Sequence, residues 1–563
     1  MNSTEKFFSY FLMLMLSFSI STRAQLFTPK KYPVGYFQWP VKSVPAIVAN
    51  FGELRPNHYH MGLDCRTEGK VNLPILAAAD GFISKIHIDA TGFGRTLYID
   101  HPNGLTTVYA HLNDFYPELE SYLEKEQYLL QKWNVDLFPK KDQFKLSKGQ
   151  FIAYSGNTGG SQGPHLHFEI RDTRTEKVLN PLFFGFQIRD NIAPDIIRMA
   201  MYDRRYSTYE QSPKIIALKK SSGVYRPVSG ALLANTDQLS FAITAFDRYS
   251  GSTNQNGIFS AVLSMDGKEI TGFELDEIGY DETRNHNAHI DYKTRTNGGP
   301  WLQHISPLPG FQNSIYRTAD GSDGIIRLKD LEMHEIEIKV MDVQGNTSTL
   351  LLNVQKAENI TPRSVQNTGI LFEPGMVNVY EDEKVWIHMP EKVIYDSFHF
   401  RCTPTSNNSF IIQGHQIPAI DYYTIRIKTE NLPFSDTGKL MMKMVHGSKE
   451  RFRKAHYDRG WAKSSFRDFG ALTLIIDTIA PSITPISPVG KSRRIGFSVS
   501  DNTKELESFN AFLDGKWILF TNDKGKNFYH NLNPMLESGE HILKVIVTDL
   551  SGNKTEKEYH FTR

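Results

Sequence analysis

Three short elements recur in the same order in the C-terminal part of this 563-residue chain. Asp190-Asn191-Ile192-Ala193-Pro194 returns as Asp477-Thr478-Ile479-Ala480-Pro481. Asp266-Gly267-Lys268-Glu269-Ile270 returns as Asp514-Gly515-Lys516-Trp517-Ile518, and Asp342-Val343-Gln344-Gly345-Asn346 returns as Asp549-Leu550-Ser551-Gly552-Asn553. Each unit opens on a proline, turns at Asp-Gly and closes around an Asp-x-x-Gly-Asn turn. Turn signals at this density leave room for short alternating strands and none for long helices, so the recurrence constrains the chain to β-sandwich units. We read two related sandwiches, over 190–356 and 477–563. The stretch 357–476 is also β-rich and reads as a third, with strands expected at Val379-Tyr380, Val385-Trp386-Ile387 and Leu472-Thr473-Leu474-Ile475-Ile476.

Lys plus Arg number 63 and Asp plus Glu 62, a formal net charge of +1. That balance gives no electrostatic reason to expect nucleic acid or an anionic membrane as partner. The first 24 residues read as a signal peptide: Lys6, an apolar run from Phe7 to Ile20, then Thr22-Arg23-Ala24 before Gln25. The apolar core is short for a bilayer span, and no later segment is apolar enough to cross. The mature chain is expected outside the cytoplasm, in the periplasm or secreted. The two cysteines, Cys65 and Cys402, fall in different regions and are expected as separate thiols.

Residues 25–189 carry the chemistry. In Gly163-Pro164-His165-Leu166-His167-Phe168-Glu169 two histidines two residues apart share one face of a strand. Upstream lie His60-Met61-Gly62-Leu63-Asp64 and Tyr109-Ala110-His111-Leu112. Together they supply two His and one Asp for a divalent metal and leave two His for proton transfer, the inventory of a hydrolytic zinc site. After Pro117, the residues Leu119, Tyr122, Leu123, Leu130 and Trp133 follow helical spacing in a charged background, which predicts an amphipathic helix within an insertion over about 114–145.

In order, Trp39-Pro40-Val41, Phe51-Gly52, His60-x-x-x-Asp64, Pro74 to Gly81, Gly92-Phe93-Gly94, Tyr109-Ala110-His111-Leu112 and Gly156 to Glu169 resemble peptidase family M23, the lysostaphin- and LytM-like zinc endopeptidases that cut peptidoglycan cross-bridges. The resemblance covers about a quarter of the chain. It implies an antiparallel β peptidase core, Zn²⁺ bound by His60, Asp64 and His167, and catalysis by His111 and His165. One of that pair would take a proton from water; the other would stabilise the oxyanion or protonate the leaving amine. The substrate it implies is the peptide part of peptidoglycan. The downstream modules resemble immunoglobulin-like domains of secreted bacterial proteins, with a protein or glycan as their partner. Two alternatives stand beside an active enzyme: a non-catalytic member of the same fold that binds peptidoglycan or activates another wall hydrolase, and a surface scaffold whose business lies in the sandwiches.

Other residues have plainer readings. His101 is expected to be a structural strand residue and His87 a surface residue; Glu169 reads as a strand residue in preference to a carboxylate supporting a metal ligand from behind, and His58 is set aside as a ligand in favour of His60. Phe51-Gly52-Glu53-Leu54-Arg55 holds one residue more than the family's usual Phe-Gly-x-Arg, which leaves Arg55 without an assigned role. The helix in the insertion is expected either to wall the cleft or to brace the neighbouring sandwich.

Overall fold

The computed structural model describes residues 26–563 except 312–313, 362–367, 407, 430–433 and 523. The signal peptide expected over 1–24 lies outside these residues. The chain is mainly β, and its sheets are almost wholly antiparallel.

The first sheet positions the site. Its strands run Ile47–Ala49, Leu63–Arg66, His165–Asp172, Leu105–Ala110, Arg95–Asp100, Gly81–Ile88 and Val135–Leu137 in spatial order. A small second sheet orders Pro74–Leu76, Phe151–Ser155 and Leu112–Phe115. Strand alternation sorts the side chains between two faces. Leu63, Cys65, Leu166, Phe168 and Ile170 enter the apolar core, so Asp64, His165, His167, Glu169 and Arg171 are carried on the opposite face. Cys65 is a buried free thiol and Cys402 a second free one, as expected from their separation in the chain.

Pro117 begins a helix over Pro117–Leu130, with Glu118 and Glu120 in its first turn. Proline fits there because the first-turn N–H groups have no helical partner, and the acidic pair faces the positive end of the helix dipole. The Arg95 guanidinium donates to both carboxylate oxygens of Glu120, at 2.7 and 2.6 Å. Leu119 and Leu123 join the core beneath the first sheet, and Tyr122 and Trp133 pack on its edge. The apolar stripe is therefore buried by the region that carries it. Leu130, expected in that stripe, is exposed because the helix ends there, with Gln131 in the left-handed conformation. Beyond the stripe, the Tyr128 ring meets Trp517 of the C-terminal region edge-on at 5.5 Å.

Downstream, residues 195–356 build a twelve-stranded sheet path around a second core. Two five-stranded sheets between Asn378 and Ile476 enclose a third core. Sheets of three and four strands between Ser482 and Thr562 enclose a fourth. The first two regions are stitched together: Val178–Leu179 pairs on one side with His165–Asp172 and on the other with Glu277–Ile278.

Two stability predictions follow from this packing. Leu123→Ala should lower unfolding free energy by about 2–5 kcal/mol, the range for truncating a fully buried leucine, in chemical denaturation. His289 and His304 are buried in the second region, and burial pushes both down to about 3. The unfolded chain binds their protons near pH 6.5 and the folded chain does not, so their contribution is complete above about pH 6.5 and drains as pH falls toward 3. The urea midpoint should fall over that window, and His289→Gln should make the fall shallower. An unchanged slope would remove His289 from the account.

Candidate metal centre

The strand His165–Asp172 lies between Leu63–Arg66 and Leu105–Ala110, and one register places the whole site. His167 sits opposite Asp64 on one side and Ala110 on the other. His111 follows Ala110 with φ of +60°. This left-handed residue redirects the chain from the first sheet into Leu112–Phe115 of the second, a conformation histidine tolerates better than branched residues. His60 arrives from a loop pinned by the Gly52 N–H donating to its carbonyl and its own N–H donating to the Glu53 carbonyl, both at 2.8 Å. Gly62 permits that approach: a Cβ there would stand 2.6 Å from the Phe168 carbonyl and 2.9 Å from the His167 ring.

The three side chains converge. His60 Nε2 is 2.9 Å from Asp64 Oδ1 and 3.1 Å from His167 Nδ1, and His167 Nδ1 is 3.1 Å from Asp64 Oδ1. Each is held from behind. His60 Nδ1–H donates to the Asn50 carbonyl at 2.7 Å, so its Nε2 presents a lone pair. His167 Nε2–H donates to Glu169 Oε1 at 3.0 Å, so its Nδ1 does the same. Arg55 donates to the other Asp64 oxygen at 3.2 Å. Three acceptors therefore face one another, an arrangement that repels unless a cation stands between them. Tetrahedral zinc with bonds of about 2.0–2.1 Å spaces its ligand atoms by about 3.3 Å, close to the separations here. The donor set fits such an ion: two imidazoles and one carboxylate, a borderline-soft combination with room for a further ligand.

The electrostatics agree. Burial pushes His60 down, leaving it neutral. Burial opposes charge on Asp64 too, but the surrounding histidines hold its carboxyl well below the usual range. Burial would also lower His167, yet Asp64 and Glu169 overcome it and raise the imidazole to about 9. In the metal-free chain a proton on His167 balances the cluster, and a metal would take the place of that proton.

Two further histidines flank the cluster. His111 Nδ1–H donates to the Thr158 carbonyl at 3.0 Å, and His165 Nδ1–H to the Gly163 carbonyl at 2.8 Å. In each the Nε2 is left as an acceptor. His165 Nε2 lies 3.3 Å from Asp64 Oδ1, and the two rings stand 4.9 Å apart. Burial first, then His167 and His165, push His111 down to about 3.

With this geometry in view, the comparisons with known proteins are specific. The description "Peptidase family M23" matches residues 58–181, and "Zu5-like domain" matches residues 370–477. The chain carries a peptidase family M23 domain. A protein of Haemophilus influenzae named "uncharacterized metalloprotease" is 33% identical over 131 residues, 23% of this chain and 21% of that protein. The "DD-carboxypeptidase/endopeptidase Mpg" of Neisseria meningitidis serogroup B is 31% identical over 112 residues, 20% of each chain. The chain thus spans about a fifth of the length of these curated relatives. The solved catalytic domain of the antimicrobial peptidase lysostaphin from Staphylococcus simulans aligns over 24% of this chain and 86% of that one, at 21% identity and a TM-score of 0.18.

All five residues singled out from sequence meet at one face of the M23 domain. His58 lies outside the cluster, bonded to the Pro56 carbonyl. His101 is structural, between the Asp80 carbonyl and Thr107. His87 has a partner that its sequence context did not show, Asp136 at 2.8 Å. Arg55 gains a position against Asp64 despite the extra residue before it.

The larger correction concerns Glu169, which is more than a strand residue. It is fully buried, orients His167, and is itself held by Arg171 Nε at 2.7 Å and by the Tyr280 hydroxyl. Burial would raise its carboxyl, but Arg171 and His167 keep it below the usual range. The alternation His165-x-His167-x-Glu169-x-Arg171 already put these residues on one face. Tyr280 and Asn50 had no comparable signal.

Glu169→Ala should weaken zinc binding about 10–100-fold by releasing His167, read by competition with a chromogenic chelator. His60→Ala, Asp64→Ala and His167→Ala should each lose bound zinc altogether in elemental analysis. Full zinc in His167→Ala would dismantle the ligand set.

Proposed function

We propose that this chain is an exported zinc metalloendopeptidase that hydrolyses peptide cross-links of bacterial peptidoglycan. The observation that carries the reading is the convergence of the His60, Asp64 and His167 lone pairs beside two histidines whose Nε2 atoms are left as acceptors. The family-level match to a peptidase domain and the endopeptidase name of the Neisseria relative support the same reaction class. No helix among the described residues is long and apolar enough to cross a membrane. Export rests on the leader read in residues 1–24.

Zinc, when held by His60, Asp64 and His167, supplies Lewis acidity toward water and the scissile carbonyl. The chain supplies the rest. His111 and His165 are fixed through Nδ1, so their Nε2 atoms are aimed and in the acceptor form needed to take a proton from water. Peptide hydrolysis adds that water across the C–N bond, and the proton must reach the departing amine nitrogen. Two histidines 4.9 Å apart can divide these duties, one receiving the proton and the other, once protonated, donating to oxyanion or amine. Burial, with the neighbouring histidines, keeps His111 neutral at rest. All five side chains are in place, so the non-catalytic alternative has no observation in its favour.

His111→Ala and His165→Ala should keep zinc and lose about 10²–10⁴-fold in turnover, measured by mass-spectrometric digestion of purified peptidoglycan. Wild-type rates in either variant would withdraw that residue from catalysis. A zinc-loaded wild-type chain that releases no peptide fragment would overturn the proposal.

A further inference from the structure

We propose that Asp190, Asp247 and Asp342, with Asn256, form a binding site for a hard divalent cation of the Ca²⁺ class, at the junction between the M23 domain and the β-region that follows. The site is separate from the zinc centre and does not depend on the peptidase reading.

Oxygens of the three carboxylates lie within 4.8 Å of one another. Ligands about 2.4 Å from a Ca²⁺ ion lie at most about 4.8 Å apart across it. Asp247 is only 1% exposed, and neither of its carboxylate oxygens accepts a hydrogen bond. The Arg248 N–H is near but outside hydrogen-bond geometry, and the Arg248 guanidinium turns away to Asp195 at 2.6 Å. Asp190 Oδ2 is likewise unpartnered, while its Oδ1 accepts from the Ile192 N–H at 3.1 Å. Asp342 is aimed by the Asn346 N–H and side-chain amide, at 2.9 and 2.7 Å.

A fourth oxygen comes from Asn256. It pairs with Asp247 in an isolated antiparallel bridge, and residues opposite one another in such a bridge project to the same face. Asn256 is 2% exposed and its Oδ1 has no partner. Among the described residues no Lys or Arg forms an ion pair with any of the three carboxylates. Buried carboxylates without donors either give up their charge or gather a cation. Burial, then Asp190 and Asp342, push Asp247 up to about 7 in the metal-free chain. All-oxygen ligation in a buried setting favours Ca²⁺ over Mg²⁺, which keeps its waters and demands a tight octahedron.

The second copy of the repeat supplies an internal contrast. Asp477, Asp501 and Asp549 cluster in the same way, but protein donors satisfy all of their oxygens except Oδ1 of the half-buried Asp501. Asp477 accepts from Asn502 at 3.0 Å and Ser551 at 2.9 Å, Asp549 from Asn553, and Asp501 from Thr503. In the first copy Arg248 stands where Asn502 does and turns to Asp195. Gln344 stands where Ser551 does, and Asp190 Oδ2 is left without the bond that Ser551 gives Asp477, the Ser250 hydroxyl reaching only Asp190 Oδ1 at 3.5 Å. We therefore assign the cation to the first copy.

Its position gives the ion a task. The segment from Asp247 to Gly257 leans on the M23 domain: Asn254 donates to the Val48 carbonyl at 3.0 Å, and Asn50 exchanges hydrogen bonds with Gly257 at 2.8 and 2.9 Å. The Asn50 carbonyl in turn orients His60. A cation tying the opening at Asp190, the loop at Asp247 and the turn at Asp342 would fasten this junction.

The test is Ca²⁺ titration of the full zinc-loaded chain by equilibrium dialysis and thermal melting, in buffers free of chelator. One equivalent should bind at about 1 mM Ca²⁺ or below, raising the melting temperature by about 3 °C or more. Asp247→Asn and Asp190→Asn should lose both the equivalent and the shift while retaining zinc, whereas Asp477→Asn should keep both. Without Ca²⁺, Asp247→Asn should melt no lower than wild type, because it removes an uncompensated charge; this separates a lost site from a damaged fold. No Ca²⁺ on the wild-type chain, or an undiminished equivalent in both first-copy variants, would overturn the assignment.

Discussion

The antiparallel pairing of His165–Asp172 with Leu63–Arg66 on one side and Leu105–Ala110 on the other governs the site. Backbone hydrogen bonds set the register, and the register sets which side chains can meet. With His167 opposite both Asp64 and Ala110, a two-residue alternation delivers His165, His167, Glu169 and Arg171 to one face. A one-residue slip would send all four into the apolar core and bring Leu166 and Phe168 out. The burial of Leu166, Phe168 and Ile170 is therefore what holds the metal-facing atoms in place. Polar geometry here is a consequence of hydrophobic sorting.

The M23 domain does not complete its own surroundings. Glu169, which aims His167, is bonded by Tyr280 from the next region. Asn50, whose carbonyl aims His60, is paired with Gly257. Lys524 from the C-terminal region donates to the Gly159 and Ser161 carbonyls, at 3.1 and 2.8 Å, in the loop that leads to His165. Tyr128 at the end of the inserted helix meets Trp517 of that same region. Three segments far apart in the chain thus press on the elements that orient three different site residues. The β-regions are part of the support of the site as well as a possession of the chain's surface.

The inserted helix shows how one pattern serves two ends. Leu119 and Leu123 satisfy the amphipathic requirement within the domain's own core, and the Arg95 bidentate pair with Glu120 fixes the helix over the first sheet. What remains at its C-terminal end, Tyr128, is free to meet a neighbour. The brace reading gave the stripe to the neighbouring sandwich, but Leu119 and Leu123 lie in the domain's own core and it is Tyr128, beyond the stripe, that meets Trp517.

Much of this was legible in sequence, for reasons that can be stated residue by residue. Period-two spacing of His165 and His167 is local, so their common face could be read without a fold. The turn signals of the repeated units are equally local, and so was the mainly β character. The identity of the five site residues came from ordered motifs. What tertiary structure alone decided is which lone pairs face one another and what stands behind each. Asn50 acts through its carbonyl, which every residue has, and Tyr280 arrives from a separate sheet; neither carries a pattern. The contrast between the two aspartate clusters is of the same kind. Both have the same carboxylates, but only folding determines whether Asn502 and Ser551 reach one cluster and whether Arg248 turns away from the other. Local periodicity is written in the chain because it depends on neighbours in sequence, whereas charge compensation depends on neighbours in space.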